Sequence, residues 1–313
     1  EATYTMTASN AEVLLHYTIS GTTDGAGNVM TAIGPATTGR TYDRTLPTAS
    51  YIYLGSDTSP GATYTTTGKP AVYSDAADAN ALFAQFSYDG TTWTPLETFA
   101  SGTTAVDLTS GSQGSRQVRM RLFDAAGNQK VDPVQDSITY DSGKPTAAVS
   151  SISPTSGVNN GGTITFTVTL TEETSGIQTA PTVSITNGTS SRDATVTPGA
   201  PSGTLYPYSV SYSVPAEEAT WASGNALSYT ITSAMDNAGN VMDAVSSTPL
   251  GIKYDRTPPT VTPGTITITG VTANTGYARL GSVITIPLTI NESSTGVTTK
   301  PTVSLTTSTG TEI

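Results

Sequence analysis

The stretch that decides the fold is DNAGNVMDAVSSTPLGIKYDRTPPT, which runs from Asp236 to Thr260. A related stretch, DGAGNVMTAIGPATTGRTYDRTLPT, begins at Asp24, and a third, DAAGNQKVDPVQDSITYDSGKPT, begins at Asp124. Each one joins an Asp-x-Ala-Gly-Asn loop to a Tyr-Asp pair whose tyrosine follows the loop aspartate by 16 or 18 residues. Self-similarity at a spacing of about a hundred residues predicts an array of repeated domains.

The composition excludes several classes of protein. The chain has 313 residues, a net charge of −11 and no cysteine, so a disulfide scaffold and a thiolate metal site are both excluded. An acidic surface repels a nucleic-acid backbone, and no nucleic-acid partner is expected. No segment approaches the roughly 18 apolar residues of a membrane helix, so no membrane span is predicted in this chain. The acidic side chains could attract hard cations or simply keep an exposed protein soluble.

Alternation of apolar and polar residues indicates β-strands along the whole chain. Apolar residues at every second position fill 164–170, 284–290, 118–122 and 227–231, with threonine, serine or arginine between them. This period of two is typical of strands with one buried face, and no amphipathic helix is evident. Short strands separated by Gly, Pro, Asn and Ser turns predict an all-β protein built of β-sandwiches.

The repeated Tyr-Asp pairs divide the chain into domains. With Tyr42, Tyr140 and Tyr254 as domain ends, complete domains are predicted at 45–141 and 142–255. Residues 1–44 are then the C-terminal half of a domain and residues 256–313 the N-terminal half. Two interpretations stay open. Either the halves complete each other head-to-tail between copies of the chain, which would build a filament, or the chain is a window of a longer repetitive polypeptide.

Several motifs carry a family resemblance. The stretches DNAGN…YDRTPPT, RLFDAAGN, FSYDGTTWTPLETF and TLTEETSG…PTVSITNG resemble tandem bacterial immunoglobulin-like repeats. The resemblance covers essentially the whole chain. It implies a rod of immunoglobulin-like sandwiches with partial domains at both ends. It also implies a structural role outside the cell or at the cell surface, in an adhesin stalk, a surface layer or an extracellular fibre.

In such a sandwich, the hinge before the first strand, the B–C loop and the F–G loop share one pole, so their oxygen-bearing side chains should converge. Calcium takes six to eight oxygen ligands in irregular geometry. The resemblance implies calcium sites that stiffen the linkers, whereas the alternative is that the loops are only good turns. The candidate ligands are Asp141, Glu172, Asp236 and Asn240 for 142–255, Asp43, Asp124, Asn128 and either Asp75 or Asp78 for 45–141, and two partial sets, Asp255 with Glu292 and Asp24 with Asn28.

No catalytic constellation is evident, and a non-enzymatic protein is expected. The single histidine, His16, alternates with apolar residues on a predicted strand. Neighbouring carboxylates such as Glu172 and Glu173 would point to opposite faces of a strand.

Copies of the chain are one expected partner. The alternative function is an adhesin module that recognises a glycan or protein on a host or cell surface. Trp93 and Trp221 could then stack on sugars, although burial in a core is the simpler interpretation.

Overall fold

The computed structural model of the chain describes residues 2–7, 13–56, 61–271 and 277–306. These residues form 24 β-strands and no α-helix, so the predicted all-β class is confirmed. No helix among them has the length and hydropathy needed to cross a membrane. The chain divides into two compact units, Glu1–Gly143 with Asn237–Gly239, and Lys144–Asp236 with Asn240–Ile313.

The first unit holds an N-terminal hairpin followed by a domain with its own core. The hairpin strands are β1 (Leu14–Ile19) and β2 (Ile33–Thr41). The domain strands are β3 (Ile52–Leu54), β4 (Tyr64–Thr65), β5 (Val72–Ser74), β6 (Phe83–Ser87), β7 (Glu97–Thr98), β8 (Gly114–Phe123) and β9 (Val134–Tyr140). Strands β3 and β5 pair with each other, and the others form a five-stranded sheet in the order β4-β9-β8-β6-β7.

Strand β8 shows why the sequence pattern builds this domain. Its residues Val118, Met120 and Leu122 are fully buried, whereas the arginines between them face the other side of the sheet. The buried residues join a core with Ile52, Leu54, Val72, Phe86 and Ile138. Burying large aliphatic side chains stabilises the fold by about 1.5–3 kcal/mol each, so the alternation alone fixes which face of the sheet is inside.

The second unit holds a larger domain followed by a C-terminal element, defined here as residues 256–306. The domain strands are β10 (Thr146–Ser153), β11 (Gly157–Val158), β12 (Thr163–Thr171), β13 (Ile177–Thr179), β14 (Thr182–Thr186), β15 (Ser191–Asp193), β16 (Thr195–Pro198), β17 (Leu205–Ser213), β18 (Ala226–Thr232), β19 (Met235–Asp236) and β20 (Val245–Tyr254). One sheet has the order β10-β12-β17-β16, the other has the order β11-β20-β18-β14-β15, and β13 pairs with β19.

The core of this domain lies between its two large sheets. Trp221 is completely buried there and lies against Tyr212 and Tyr254, with ring centroids 5.6 and 5.5 Å away. The Tyr254 hydroxyl lies within hydrogen-bond distance of two acceptors, the Asn160 side-chain oxygen and the backbone oxygen of Glu218, which share its one proton. The predicted domain boundaries stay predictions, but the strands of each core lie inside them.

The C-terminal element contains β21 (Thr260–Pro263), β22 (Thr267–Thr269), β23 (Val283–Thr285) and β24 (Leu288–Asn291). Strand β21 pairs with β24, and β22 pairs with β23. The predicted single strand over 284–290 was wrong, because Ile286 and Pro287 separate β23 from β24. Proline lacks the backbone N–H that a ladder requires, so the break lies where the chemistry favours it.

The N-terminal hairpin reproduces part of the second domain in detail. Leu14 pairs with Thr41 as Ala226 pairs with Lys253, and the remaining pairs of β1–β2 match those of β18–β20 in the same way. The surroundings differ, however. Tyr17 and Ile19 are 46% and 47% exposed, whereas their counterparts Tyr229 and Ile231 are 8% and 0% exposed. The apolar face that the second domain buries is therefore uncovered in the hairpin.

The C-terminal element reproduces the opposite side of the same sandwich. Its pairs Val261–Ile290 and Thr267–Thr285 correspond to Ala147–Leu170 and Ser153–Thr165 of the second domain. No described residue of either terminal element corresponds to β16 or β17. A sandwich built from the described residues of the two elements would therefore lack a counterpart of β17, the strand that pairs with β12, and the expectation that the halves complete each other stays a prediction.

Candidate metal centre

Each Asp-x-Ala-Gly-Asn loop is a turn that its own aspartate organises. In the loop at Asp124, Oδ1 accepts hydrogen bonds from the backbone N–H groups of Ala126 (2.8 Å) and Asn128 (2.9 Å), and Oδ2 accepts one from Asn128 Nδ2 (2.7 Å). Gly127 takes a φ of 92°, which suits glycine. The loops at Asp24 and Asp236 repeat the contacts with their own asparagines. All three loops are therefore turns held by their own aspartates, and the choice between a turn alone and a turn that also binds calcium stays open.

Three carboxylates of the first unit converge beside the Asp124 loop. Asp43 lies in the hinge after β2, Asp78 lies in the loop after β5, and Asp124 directly follows β8. Each offers one carboxylate oxygen, and these oxygens all lie within 4.8 Å of one another. Asp124 is buried and the other two are half-buried. We call Asp43, Asp78 and Asp124 the hinge cluster.

Asp75 and Asp78, the two alternative ligands predicted for the 45–141 domain, have different roles. Asp78 belongs to the hinge cluster, whereas Asp75 accepts hydrogen bonds at Oδ1 from the backbone N–H groups of Ser50 (2.8 Å) and Tyr51 (3.4 Å). Burial opposes the ionisation of Asp75, but the hydrogen bonds from Ser50 and Tyr51 outweigh it and lower the pKa. The structure therefore selects Asp78 as the candidate ligand.

Two asparagines brace the hinge cluster as donors. Asn128 Nδ2 donates to the backbone oxygens of Asp43 (3.2 Å) and Thr45 (3.4 Å) besides Asp124. Asn80 Nδ2 donates to Asp43 Oδ2 (2.6 Å), and its backbone N–H donates to Asp78 Oδ1 (2.8 Å). The role of Asn128 as an oxygen ligand stays a prediction, and its Nδ2 ties the hinge to the loop. Sequence reasoning missed Asn80, although Asp-x-Asn in a loop is a common turn signal.

The candidate ligands predicted for the 142–255 domain belong to different units. Asp141 lies in the first unit, and Glu172 and Asp236 lie in the second. In the second unit, Glu172 directly follows β12 and Asp236 ends β19, both are buried, and they offer carboxylate oxygens within 4.8 Å of each other. Glu172 Oε1 accepts a hydrogen bond from the backbone N–H of Thr174 (2.8 Å). Asp141 directly follows β9 in the first unit, and its Oδ1 accepts a hydrogen bond from the backbone N–H of Gly143 (2.9 Å).

The second unit also brings Asp255 and Glu292 together, as the sequence predicts. Burial opposes the ionisation of Asp255, but hydrogen bonds from Thr257 N–H, Thr295 Oγ1 and Ser223 Oγ together lower its pKa. These three contacts measure 2.9 Å each. Glu292 Oε1 accepts the backbone N–H of Ser294 (2.7 Å), which repeats the Glu172 contact. This pair provides two carboxylates, and the Asp24 loop remains exposed in the first unit.

These sites suit a hard cation better than any covalent chemistry. Every candidate ligand is a carboxylate or amide, and oxygen donors are what calcium and magnesium prefer. The hinge cluster places three negative charges close together, which costs energy unless a cation offsets it. His16 lies exposed on β1, away from the aspartates of the hinge in sequence. The residues therefore fit calcium.

Strand order identifies the kind of domain. In the second domain, two antiparallel sheets enclose one core, and only β11 runs parallel to its neighbour, the last strand β20. The first domain has the same parallel pairing between β4 and its last strand β9. These domains are immunoglobulin-like β-sandwiches. In immunoglobulin-like terms, Glu172 follows strand B, and the repeated Asp-x-Ala-Gly-Asn loop connects strands F and G.

Comparisons with known proteins find similarities to solved structures. No protein-family model and no curated protein matches the chain. A tetra-tandem repeat in the extending region of a large adhesion protein is 18% identical with a TM-score of 0.30, over 90% of this chain and 71% of that one. The fibronectin(III)-like modules of Clostridium thermocellum CbhA are 14% identical with a TM-score of 0.29, over 66% and 93%.

A third solved structure is the SGBP-B protein of a Bacteroides ovatus mixed-linkage glucan utilization locus, in complex with a mixed-linkage heptasaccharide. It is 11% identical with a TM-score of 0.21, over 86% of this chain and 67% of that one. None of the three superimposes closely on the chain. The assignment of the immunoglobulin-like fold therefore rests on the strand pairing.

Proposed function

We propose that the chain is a structural, non-enzymatic part of an extracellular or cell-surface protein. Its immunoglobulin-like repeats would form a rod in a filament, a surface layer or an adhesin stalk, with calcium stiffening the linkers. The observation that carries this proposal is the hinge cluster. It joins a linker residue, Asp43, to two loops of the following domain, so an ion bound there would hold the linker against that domain.

The same chemistry supports calcium at the other junctions. The paired carboxylates of Glu172 and Asp236, and of Asp255 and Glu292, lie beside loops and hinges that repeat those of the first unit. Asp141 holds the sequence position of Asp43 in its own Tyr-Asp pair. Asp24 and Asn28 form the matching loop in the N-terminal hairpin. They would become ligands when a hinge aspartate and a glutamate equivalent to Asp255 and Glu292 approach this loop.

A calcium titration of the whole chain tests the proposal. The chain has two tryptophans, one in each complete domain, so Trp93 in a Trp221→Phe background reports the unfolding of the first domain. We expect calcium at a hundred times its dissociation constant to raise the free energy of unfolding of this domain by about 2.7 kcal/mol relative to chelator. Denaturant unfolding followed by fluorescence measures the change.

Two variants make the calcium experiment decisive. Asp78→Asn removes one charge from the hinge cluster and should abolish the response of the Trp93 transition to calcium. Asp24→Asn removes the same charge from an isolated copy of the loop and should leave that response intact. A domain whose stability is the same in calcium and in chelator would contradict calcium binding at the hinge cluster.

Copies of the chain are the proposed partner. In the second domain, Phe166 of β12 lies 5.7 Å from Tyr229 of β18, measured between ring centroids. Their counterparts are Ile286 in the C-terminal element and the exposed Tyr17 in the hairpin. We propose that these two surfaces meet head-to-tail between copies. Because β16 and β17 have no counterpart among the described residues of the two elements, the contact should be weaker than the core of a complete domain.

Light scattering at rising concentration measures this association. We expect the mean mass to rise above the 32.0 kDa of one chain. Tyr17→Asp should suppress the rise by placing a charge on the apolar face, whereas Thr18→Asp adds the same charge on the opposite face of β1 and should not. A mass that stays at one chain over the whole range argues against head-to-tail contact.

A further inference from the structure

The outer face of the five-stranded sheet in the first domain has an unusual charge. Its outward positions on the three central strands hold two arginines and no carboxylate, although the whole chain has 24 acidic and 13 basic residues. We call this surface the arginine face. It comprises Phe83, Gln85 and Ser87 on β6, Ser115, Gln117, Arg119, Arg121 and Phe123 on β8, and Gln135, Ser137 and Thr139 on β9.

The two arginines have polar neighbours and no anionic partner. Arg119 stands opposite Ser87 on one side and Gln135 on the other, and Arg121 stands opposite Gln85. Neither guanidinium forms an ion pair or a hydrogen bond within the described part of the chain, and the Nε of each is buried without a partner. Residues two apart on one strand are about 7 Å apart, so the charges form a short row.

A loop between β6 and β7 forms one edge of the arginine face. Arg121 stacks on Trp93, with its guanidinium carbon 3.8 Å from the ring centroid. Gly90 approaches Arg119 so closely that a Cβ there would lie 2.4 Å from Nη1. The Ser87 hydroxyl, beneath the loop, accepts a hydrogen bond from the backbone N–H of Gly90 (2.9 Å). The loop backbone thus lies against Ser87 and the Arg119 guanidinium, at the edge where Trp93 stacks on Arg121.

The carboxylate of the β6–β7 loop, Asp89, does not neutralise this row. Asp89 Oδ1 accepts hydrogen bonds from the backbone N–H groups of Thr92 and Thr91, both at 2.7 Å. Hydrogen bonds from the Thr92 and Thr91 backbones hold the pKa of Asp89 well below its usual value. Its charge therefore stabilises the turn, and the two guanidinium groups keep their capacity to bind an anion.

We propose that the arginine face binds a carboxylate-bearing polysaccharide. Guanidinium groups bind carboxylates through paired, charge-assisted hydrogen bonds. The exposed side-chain amides of Gln117 and Gln135 supply donors and acceptors for sugar hydroxyls, and Trp93 supplies a ring at the edge. The glutamine, serine and threonine side chains that surround the two arginines could bond to hydroxyls along an extended chain of sugar rings. The proposal adds a binding activity to the structural role and does not depend on calcium.

The overall acidity of the protein limits which anion can bind. A net charge of −11 repels a polyanion as dense as a nucleic acid, which carries a charge about every 1.7 Å of duplex. A polysaccharide with at most one carboxylate per sugar ring is far less charged. Repulsion from distant aspartates is screened within about 8 Å at physiological salt, so contact with the arginine face prevails at short range.

Affinity electrophoresis of the full chain through gels containing polygalacturonate tests the proposal, with neutral dextran as the control polymer. We expect retardation by polygalacturonate only, with weaker retardation at higher salt. The double variant Arg119→Gln/Arg121→Gln should lose about tenfold or more in affinity. The matched variant Lys69→Gln/Lys130→Gln makes the same change in charge elsewhere on the first domain and should change affinity less than about twofold.

Several outcomes would overturn the proposal. The first is an equal loss of polygalacturonate affinity in both double variants, and the second is equal retardation of the chain by dextran. The third is no retardation by polygalacturonate. The fourth is an arginine variant whose self-association changes while its glycan binding does not. Thermal unfolding of each variant checks its fold. If the glutamine variant does not fold, Arg119→Lys/Arg121→Lys keeps the charge but loses the paired geometry. It should then bind several-fold more weakly than the unmodified chain, and unchanged binding would contradict the proposal.

Discussion

Replacing Trp221 by alanine is expected to lower the free energy of unfolding of the second domain by about 3 to 5 kcal/mol. The indole is completely buried and touches Tyr212 and Tyr254, so its removal leaves a large cavity lined by rings that cannot collapse onto each other. Tyr254 also anchors the loop at Glu218 through its hydroxyl. Denaturant unfolding followed by circular dichroism should show the transition of this domain moving to lower denaturant.

Trp93 provides the matched control for this variant. It is only partly buried, and its ring stacks on the guanidinium of Arg121. Trp93→Ala should therefore cost much less, and its effect should be confined to the first domain. In Trp221→Ala the remaining Trp93 fluorescence should keep its original midpoint. Equal destabilisation by the two substitutions would show that Trp221 is not the centre of the second core.

Replacing Asp124 by alanine is expected to destabilise the first domain by about 1 to 3 kcal/mol even when no calcium is present. The substitution leaves the backbone N–H groups of Ala126 and Asn128 and the Asn128 amide without their acceptor. Because Asp124 is 2% exposed, water cannot easily replace the lost acceptor. Unfolding in chelator, followed by Trp93 fluorescence, measures this loss separately from any metal effect.

Asp24→Ala is the control for the loop itself. Asp24 makes the same hydrogen bonds, and the bond from Asn28 helps to lower its pKa, but its loop is exposed to water. Water can satisfy the freed donors there, and the first domain should keep its midpoint. If Asp124→Ala proved as harmless as Asp24→Ala in chelator, the buried turn would contribute nothing beyond metal binding.

The sequence predicts the fold class and much of the core because both follow from local alternation. Val118, Met120 and Leu122, or Ile164, Phe166 and Val168, are buried as their period of two requires. The repeated loop is equally local, since Asp and Asn bond to backbone groups two to four residues away. Such features need no knowledge of distant parts of the chain, and the structure contains them where the sequence places them.

Features that depend on distant contacts could not be predicted in the same way. Asp75 and Asp78 are equivalent by sequence, and only the pairing of β3 with β5 turns Asp75 towards Ser50. The donor role of Asn128 requires the hinge carbonyls of Asp43 and Thr45, more than 80 residues earlier. The arginine face is likewise visible only once β6, β8 and β9 are side by side.

The parallel pairs β4–β9 and β11–β20 have a mechanical consequence. In each domain they join an early strand to the last one in parallel. A force that pulls the two ends of such a domain apart runs along these strands. It therefore acts in shear on their hydrogen bonds, and all of the bonds carry the force at the same time. An antiparallel hairpin pulled from its open end breaks its bonds one at a time. Each domain therefore resists tension along the chain at the pair nearest to its ends.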